Sequence, residues 1–328
     1  MYKAFYRLRQ NPFEIAPDPS FLYATRKHNE ALAALYYGVK RRKGFVVLTG
    51  EVGTGKTLVV RCLLQVLGKT GIAYAYVFNP RLRPTEFLQY IAGDLRLPTA
   101  GKSKSELLLD LGSFLIARHQ KGLTTVLVVD EAHHLSAEVL EEVRLLTNLE
   151  TPYAKLLQIL LVGQPELDEK LDSIGLRQLK QRIALRSHLG PLDREETCGY
   201  VYRRLQLAGN GNPGEIFPLE TIAEVHRQSQ GIPRLINTLC ENALIYGYAW
   251  QTHSIPPEII RDIAADFRLN VESSPLVECA QPALHSSQIE QAAKTLLNLY
   301  QQLRTARESG TKLRMASSVG EHKHEPII

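Results

Sequence analysis

A parallel α/β sheet covered by helices on both faces, followed by an all-helical domain, is the fold class that three observations predict. Four runs, FVVLTG (45–50), IAYAYVFNP (72–80), TTVLVVDEA (124–132) and KLLQILLVGQPEL (155–167), carry short continuous apolar stretches. Strands buried on both faces read this way, whereas half-exposed strands alternate. Helical patterns separate the runs, as the crossovers of a parallel sheet require. From PLDREE (191–196) to about residue 270 only helix-like segments remain.

The elements follow in chain order. Residues 1–43 begin with the Pro-punctuated NPFEIAPDPSF and run into HNEALAALYYGVKRR, where Ala31, Leu32, Leu35 and Val39 recur at helical spacing. This stretch is expected to pack as a lead-in on the sheet domain. The β-branched run 45–50 ends in glycine, and TLVVRCLLQVLGK (57–69) continues as a helix. SELLLDLGSFLIARHQKG (105–122) is helical, and so is SAEVLEEVRLLTNLE (136–150), with Ser136 placed as its N-cap. RQLKQRIALRSHLGPL (177–192) reads as a helix carrying arginines. The expected organisation is a lead-in over 1–43, an α/β domain over 44–193, a helical domain over 194–270, and a linker, short amphipathic helix and disordered polar tail over 271–328. In the last part Ile289, Ala292, Leu296, Leu299, Leu303 and Ala306 occupy heptad a and d positions. Over fewer than three heptads that pattern fits a short coiled coil or a helix docked on its own protein.

With 328 residues and 44% apolar composition the chain can bury a sizeable core. It has no uninterrupted apolar run of about 18 residues. Its start, MYKAFYRLRQNPFEIAPDP, lacks an apolar block of signal-peptide length. It is therefore expected in the cytoplasm, peripheral at the inner membrane only through partners. Cys62, Cys198, Cys240 and Cys279 are far apart, with no histidine at zinc-ligand spacing, and read as reduced, idle thiols. A formal charge of +5 permits contact with nucleic acid but does not require it. The densest basic clusters are Lys40, Arg41, Arg42 and Lys43, and then Arg177, Lys180, Arg182 and Arg186.

The chemistry begins at GEVGTGKT (50–57), a GxxxxGK[ST] phosphate loop placed between an apolar strand and a helix. Its glycines let backbone N–H groups aim inward, where the new helix also presents its positive end. The candidate cofactor-binding set is Gly50, Glu51, Val52, Gly53, Thr54, Gly55, Lys56 and Thr57, with Leu58 after it. Lys56 would reach the terminal phosphates of ATP, and the Thr57 hydroxyl would ligate Mg²⁺. A second apolar strand ends in Asp130 and Glu131. Asp130 is the other candidate Mg²⁺ ligand, and Glu131 the candidate base for an attacking water, so the pair points to hydrolysis. His133 and His134 read as loop or supporting residues, with no partner at metal-ligand spacing. The spelling DEAH invites a helicase reading, but such helicases need a second sheet domain that the remaining helical length cannot supply. Phe21, Tyr23 and His28 precede the first strand and are placed to flank an adenine, or equally to pack the lead-in helix.

Taken together, NPFEIAPDPSFLY, GFVVLTGEVGTGKT, DEAHHLS, LLTNLET, LLQILLVGQPEL, LRQLKQRI and GIPRLIN resemble the AAA+ ATPase module of the general secretion pathway protein A (ExeA-type) family over about residues 1–270. The resemblance implies an ATP-hydrolysing P-loop fold with a helical lid, in which Gln164 senses the γ-phosphate. Arg234 of GIPRLIN would be the lid's sensor in cis. Arg182 would be the finger that reaches a neighbour's site, with Arg177 as the alternative. It also implies a homo-oligomer that remodels or assembles a partner in type II secretion, pilus or polysaccharide export. Family members that act in secretion carry a membrane span and a peptidoglycan-binding domain after the ATPase, and residues 271–328 are expected to form neither. Two other readings stay open. One is a DNA-binding regulator similar to the target-selection ATPases of transposition, and the other is a nucleotide-gated scaffold whose output is the oligomer itself.

Overall fold

The computed structural model describes residues 1–68, 71–78 and 81–269. The amphipathic helix and tail expected over 271–328, with Cys279, lie outside the described residues. In chain order the elements are α1 (Arg26–Lys40), β1 (Phe45–Gly50), α2 (Lys56–Gly68), β2 (Ala73–Val77), α3 (Pro84–Asp94), α4 (Lys104–Gln120), β3 (Thr125–Val129), α5 (Ala137–Leu146), β4 (Leu157–Gly163), α6 (Glu166–Leu171), α7 (Arg177–Lys180) and β5 (Leu185–Leu189). The lid adds α8 (Arg194–Leu207), α9 (Pro213–Ile216), α10 (Leu219–Ser229), α11 (Pro233–Ala249) and α12 (Pro257–Asp266). Among the described residues no helix is long and apolar enough to cross a membrane.

The five strands form one parallel sheet in the order β2-β3-β4-β1-β5. The pleat sends alternate side chains to opposite faces, which is why the central strands are apolar throughout. Phe45, Val47, Leu127, Val129, Ile159 and Leu161 face a core built with residues of α3, α4 and α5. Val46, Leu48, Val126, Val128, Leu160 and Val162 face α1 and α2. The helix ends are set by local chemistry: Ser136 Oγ accepts the Val139 N–H at 3.3 Å, and Ser103 with Glu106 forms a capping box at the start of α4. β2 lies at one edge, and its outward Tyr76 N–H donates to Asp94 Oδ2 at 2.6 Å, so a donor that could pair with another chain is used up.

Two expectations need correction. The segment 177–192 is not one arginine helix: its helical part is only Arg177–Lys180, and Leu185–Leu189 forms the fifth strand. In that strand only Leu185 and Leu189 are buried, while Arg186 and His188 face outward, so an edge strand lacked the continuous apolar signal of the others. The lead-in is also divided. Helix α1 packs on the sheet domain, but Tyr2, Tyr6, Leu8 and Phe13 are buried in the lid core with Tyr200, Val201, Leu205 and Phe217. Tyr2, Tyr6 and Phe13 stand four and seven residues apart, a spacing that says nothing of which core they join. Tyr6 Oη donates to the Thr252 carbonyl at 2.9 Å, and the Arg9 N–H donates to the Ala208 carbonyl at 2.7 Å.

Arg204 fastens this N-terminal strap. Only 5% exposed, it donates to the carbonyls of Pro12 and Glu14 (3.3 Å) and to Tyr200 Oη (2.7 Å), and its guanidinium lies 4.8 Å from the Phe21 ring centroid. Replacing Arg204 with alanine strands two carbonyls and empties the space between two rings, at a cost of about 3 kcal/mol. Chemical denaturation checks this: the midpoint should fall clearly, and a midpoint equal to that of the wild type would contradict the role given to Arg204.

Candidate active site

The strand order places the candidate residues side by side. β3, β4 and β1 are neighbours, so Asp130 and Glu131, Gln164, and the loop 50–57 all emerge at the same C-terminal edge of the sheet. In open parallel sheets this edge is where ligands bind. The loop turns sharply after Gly50, and a Cβ there would fall 2.3 Å from the Leu189 carbonyl oxygen. Gly53 takes a φ of +83°, and a Cβ on it would meet the Arg234 Cβ at 2.6 Å. Any other residue would therefore both strain the loop and push away the lid.

Lys56, Thr57 and Asp130 converge. Lys56 is 6% exposed, and its Nζ donates to the carbonyls of Gly50 (2.8 Å) and Glu51 (2.9 Å). Burial pulls its ammonium below the usual lysine range, while the nearby Glu131, Asp130, Glu51 and Glu166 pull the other way. The Thr57 hydroxyl donates to Asp130 Oδ2 at 2.9 Å, and Asp130 Oδ1 accepts the Glu131 N–H at 3.0 Å. Two hard oxygen donors at hydrogen-bond distance beside a phosphate loop suit Mg²⁺, which is usually held by one or two protein oxygens together with substrate phosphates. Among the described residues no group of three or more His, Cys, Asp or Glu forms a closed metal cage.

Two contacts here were not legible beforehand. Tyr76, from β2, donates its hydroxyl to Asp130 Oδ2 at 2.7 Å, and burial together with the Asp130 charge raises the phenol well above its usual range. Its signal was a tyrosine inside an apolar strand, but only the pairing of β2 with β3 brings it to Asp130. His133 is the second. Glu131 holds a left-handed φ of +51°, which turns the chain into a short 3-10 helix and carries His133 to 3.5 Å from Glu131 Oε2. Gln164 Nε2 lies 3.5 Å from the same oxygen and 3.1 Å from His133 Nε2.

The other candidates separate. The Arg234 N–H, at the start of α11, donates to the Gly53 carbonyl at 3.2 Å, so the lid rests on the phosphate loop, with the Arg234 side chain exposed. His28 supports the loop from below: its Nε2 is 3.2 Å from the Thr54 carbonyl and its Nδ1 2.7 Å from Thr25 Oγ1. Phe21 is buried under Arg204, and Tyr23 packs edge-on against Tyr200. Arg182 is engaged within its own chain. Its guanidinium donates to the Arg144 carbonyl at 3.2 Å, to Thr147 Oγ1 and to Asn148 Oδ1, at the C-terminal end of α5. Lys180 pairs with Asp172 at 2.8 Å and Arg186 with Asp168 at 3.0 Å. The Arg177 side chain is exposed and, among the described residues, makes no hydrogen bond or ion pair, while its backbone N–H and carbonyl pair with Ile174 and Gln181.

Comparison with known proteins bears on the fold and on the relatives of this chain. A family model described as an AAA domain matches residues 39–171. General secretion pathway protein A of Aeromonas hydrophila is 48% identical over 256 residues, which cover 78% of this chain and 46% of that protein. The chain thus spans about half the length of the curated relative that it matches. Among solved structures, the Drosophila ORC bound to DNA superposes with a TM-score of 0.62 at 18% identity, covering 98% of this chain and 84% of that one. The Aeropyrum pernix ORC2 protein, in its ADPNP-ADP complexes, gives 0.59 at 17% identity over 78% and 71% of the two chains. At these identities the structures speak for the fold alone. The phosphate loop, the acids at the end of the neighbouring strand and the helical lid give this chain the AAA+ P-loop fold, and over 78% of its length it is similar to general secretion pathway protein A.

Proposed function

We propose that the chain is a Mg²⁺-dependent ATPase whose sites are completed between copies of itself, and that lid motion against the sheet domain acts on a partner in an export apparatus. The contact that carries the reading is Thr57 Oγ1 to Asp130 Oδ2 at 2.9 Å, which brings the two Mg²⁺ oxygens together beside Lys56. Bound Mg²⁺ would neutralise charge on the β- and γ-phosphates. Lys56 would exchange its two carbonyl partners for phosphate oxygens, and Glu131 would orient and deprotonate water. Arg234, which rides on the helix that touches Gly53, would link the γ-phosphate to the lid position.

The finger in trans is assigned to Arg177 in place of Arg182. A finger must be free to leave its own subunit, and Arg182 has three acceptors at home. Arg177 is exposed next to Ile174, which is 90% exposed and offers an apolar contact for a neighbouring copy. A head-to-tail interface of this kind closes into a ring or extends as a filament. The partner proposed is a component of type II secretion, pilus or polysaccharide export machinery, through the relation to general secretion pathway protein A. The DNA reading loses ground on geometry: Lys180, Arg182 and Arg186 are held by their own chain, and Arg42 is tied to His119 and the Gly122 carbonyl.

ATP hydrolysis measured against protein concentration, with and without duplex DNA at two salt concentrations, tests the reading. Specific activity should rise with concentration and ignore DNA. Salt-sensitive stimulation by DNA would put the regulator reading first, and nucleotide-dependent assembly with almost no turnover would favour the scaffold.

A further inference from the structure

We propose that His133 is a positioning residue for hydrolysis, whose imidazole holds the Glu131 carboxylate and the Gln164 amide as one hydrogen-bonded group and lets Glu131 swing out without leaving a buried atom unpaired. The inference rests on the ATPase reading of the site and adds to it a residue that reading does not use.

The first support is rigidity. The His133 side chain is 8% exposed and that of Glu131 43%, so the histidine is the fixed member of the pair and the carboxylate the mobile one. The loop that carries His133 is pinned from α6, where Lys170 Nζ donates to the His133 carbonyl at 2.6 Å and to the Leu135 carbonyl at 2.8 Å. A Cβ at Gly163 would fall 3.2 Å from the His133 backbone nitrogen, so the end of β4 packs directly on this loop. The His134 ring covers the imidazole with centroids 4.0 Å apart. Burial, with His134 adding to it, holds the His133 pKa below the usual range, which favours the neutral ring at neutral pH.

The second support is the count of donors and acceptors. A neutral imidazole has one N–H and one bare nitrogen. His133 Nδ1 faces two partners, Glu131 Oε2 at 3.5 Å and the Gln164 backbone N–H at 3.4 Å. The carboxylate needs Nδ1 to carry the proton, and the N–H needs it bare. With the proton on Nδ1 the ring holds Glu131, and Nε2 accepts from the Gln164 amide at 3.1 Å. With the proton on Nε2 the Gln164 backbone N–H is satisfied, the amide presents its oxygen to Nε2–H, and Glu131 is released toward the nucleotide. Both states pair the two ring nitrogens, and the release of Glu131 gives the Gln164 backbone N–H its acceptor, so the buried ring is not left with an unpartnered nitrogen when the carboxylate leaves. The long 3.5 Å contact is one that a carboxylate can leave at small cost. Because the amide that changes partners belongs to Gln164, a group that contacts the γ-phosphate there would also bias where Glu131 points.

Steady-state ATP hydrolysis and binding of a fluorescent ATP analogue test the proposal on four chains: wild type, Glu131→Gln, His133→Ala and His133→Asn. The alanine variant should lose about ten- to a hundredfold in kcat, with analogue affinity and thermal midpoint unchanged. Asparagine, whose amide can occupy the Nδ1 position, should recover part of that loss. An alanine variant with wild-type kcat, or one whose kcat and nucleotide affinity fall together, overturns the role of His133. An asparagine variant no better than alanine overturns the hydrogen-bonding account. A wild-type chain without turnover, or one no faster than Glu131→Gln, instead overturns the ATPase reading of the site and this inference with it.

Discussion

Replacing Glu131 with glutamine is expected to leave nucleotide binding intact and to lower turnover by at least about a hundredfold, the usual size of a general-base contribution. The two side chains are nearly isosteric, and the Glu131 contacts are long ones to His133 and Gln164 at 3.5 Å, so the loop has little reason to rearrange. What is lost is the ability to take a proton from water. Lys56, Thr57 and Asp130 keep their mutual contacts, and these are the groups assigned to phosphates and Mg²⁺. Phosphate release and analogue binding on the same preparation give the comparison. Equal turnover in the two chains would remove Glu131 from the mechanism.

Replacing Arg177 with alanine should be nearly as damaging, about a thousandfold in turnover, the lower end of what a finger in trans supplies in other NTPases. Its stability should stay at the wild-type level, since the Arg177 side chain makes no hydrogen bond or ion pair among the described residues and its backbone bonds survive the substitution. Arg182→Ala is the matched contrast. Its guanidinium caps the end of α5 through the Arg144 carbonyl, Thr147 and Asn148, so removal should cost about 1–3 kcal/mol of stability. Turnover of the folded Arg182→Ala protein should remain. The reverse pattern, a stable but inactive Arg182→Ala and an active Arg177→Ala, would return the finger to Arg182.

The parts of this site that could be read from the sequence are those in which local pattern and chemistry coincide. GEVGTGKT had to follow a strand and open a helix, and Asp130 had to end an apolar run, because the backbone geometry of phosphate binding demands it. What could not be read depends on contacts between elements far apart in the chain. Tyr76 reaches Asp130 only because β2 pairs in register with β3, and strand order is not written in any one segment. β5 stayed hidden because an edge strand needs apolar residues only at Leu185 and Leu189. The strap of Tyr2, Tyr6, Leu8 and Phe13 docks on helices some two hundred residues later, and no local pattern says which core it joins. The family resemblance implied Arg182 as the finger, yet the end of α5 claims it. His133 looked like loop filling until the left-handed turn at Glu131 brought it beside the carboxylate.

That the site is completed between copies is the central claim, and mixing two inactive variants tests it most directly. Glu131→Gln keeps its Arg177, and Arg177→Ala keeps its Glu131. If the arginine acts in trans, an equimolar mixture contains interfaces with both groups intact and recovers ATP hydrolysis that neither variant has alone. A mixture as inactive as its components, under conditions where the wild type assembles and turns over, would contradict it.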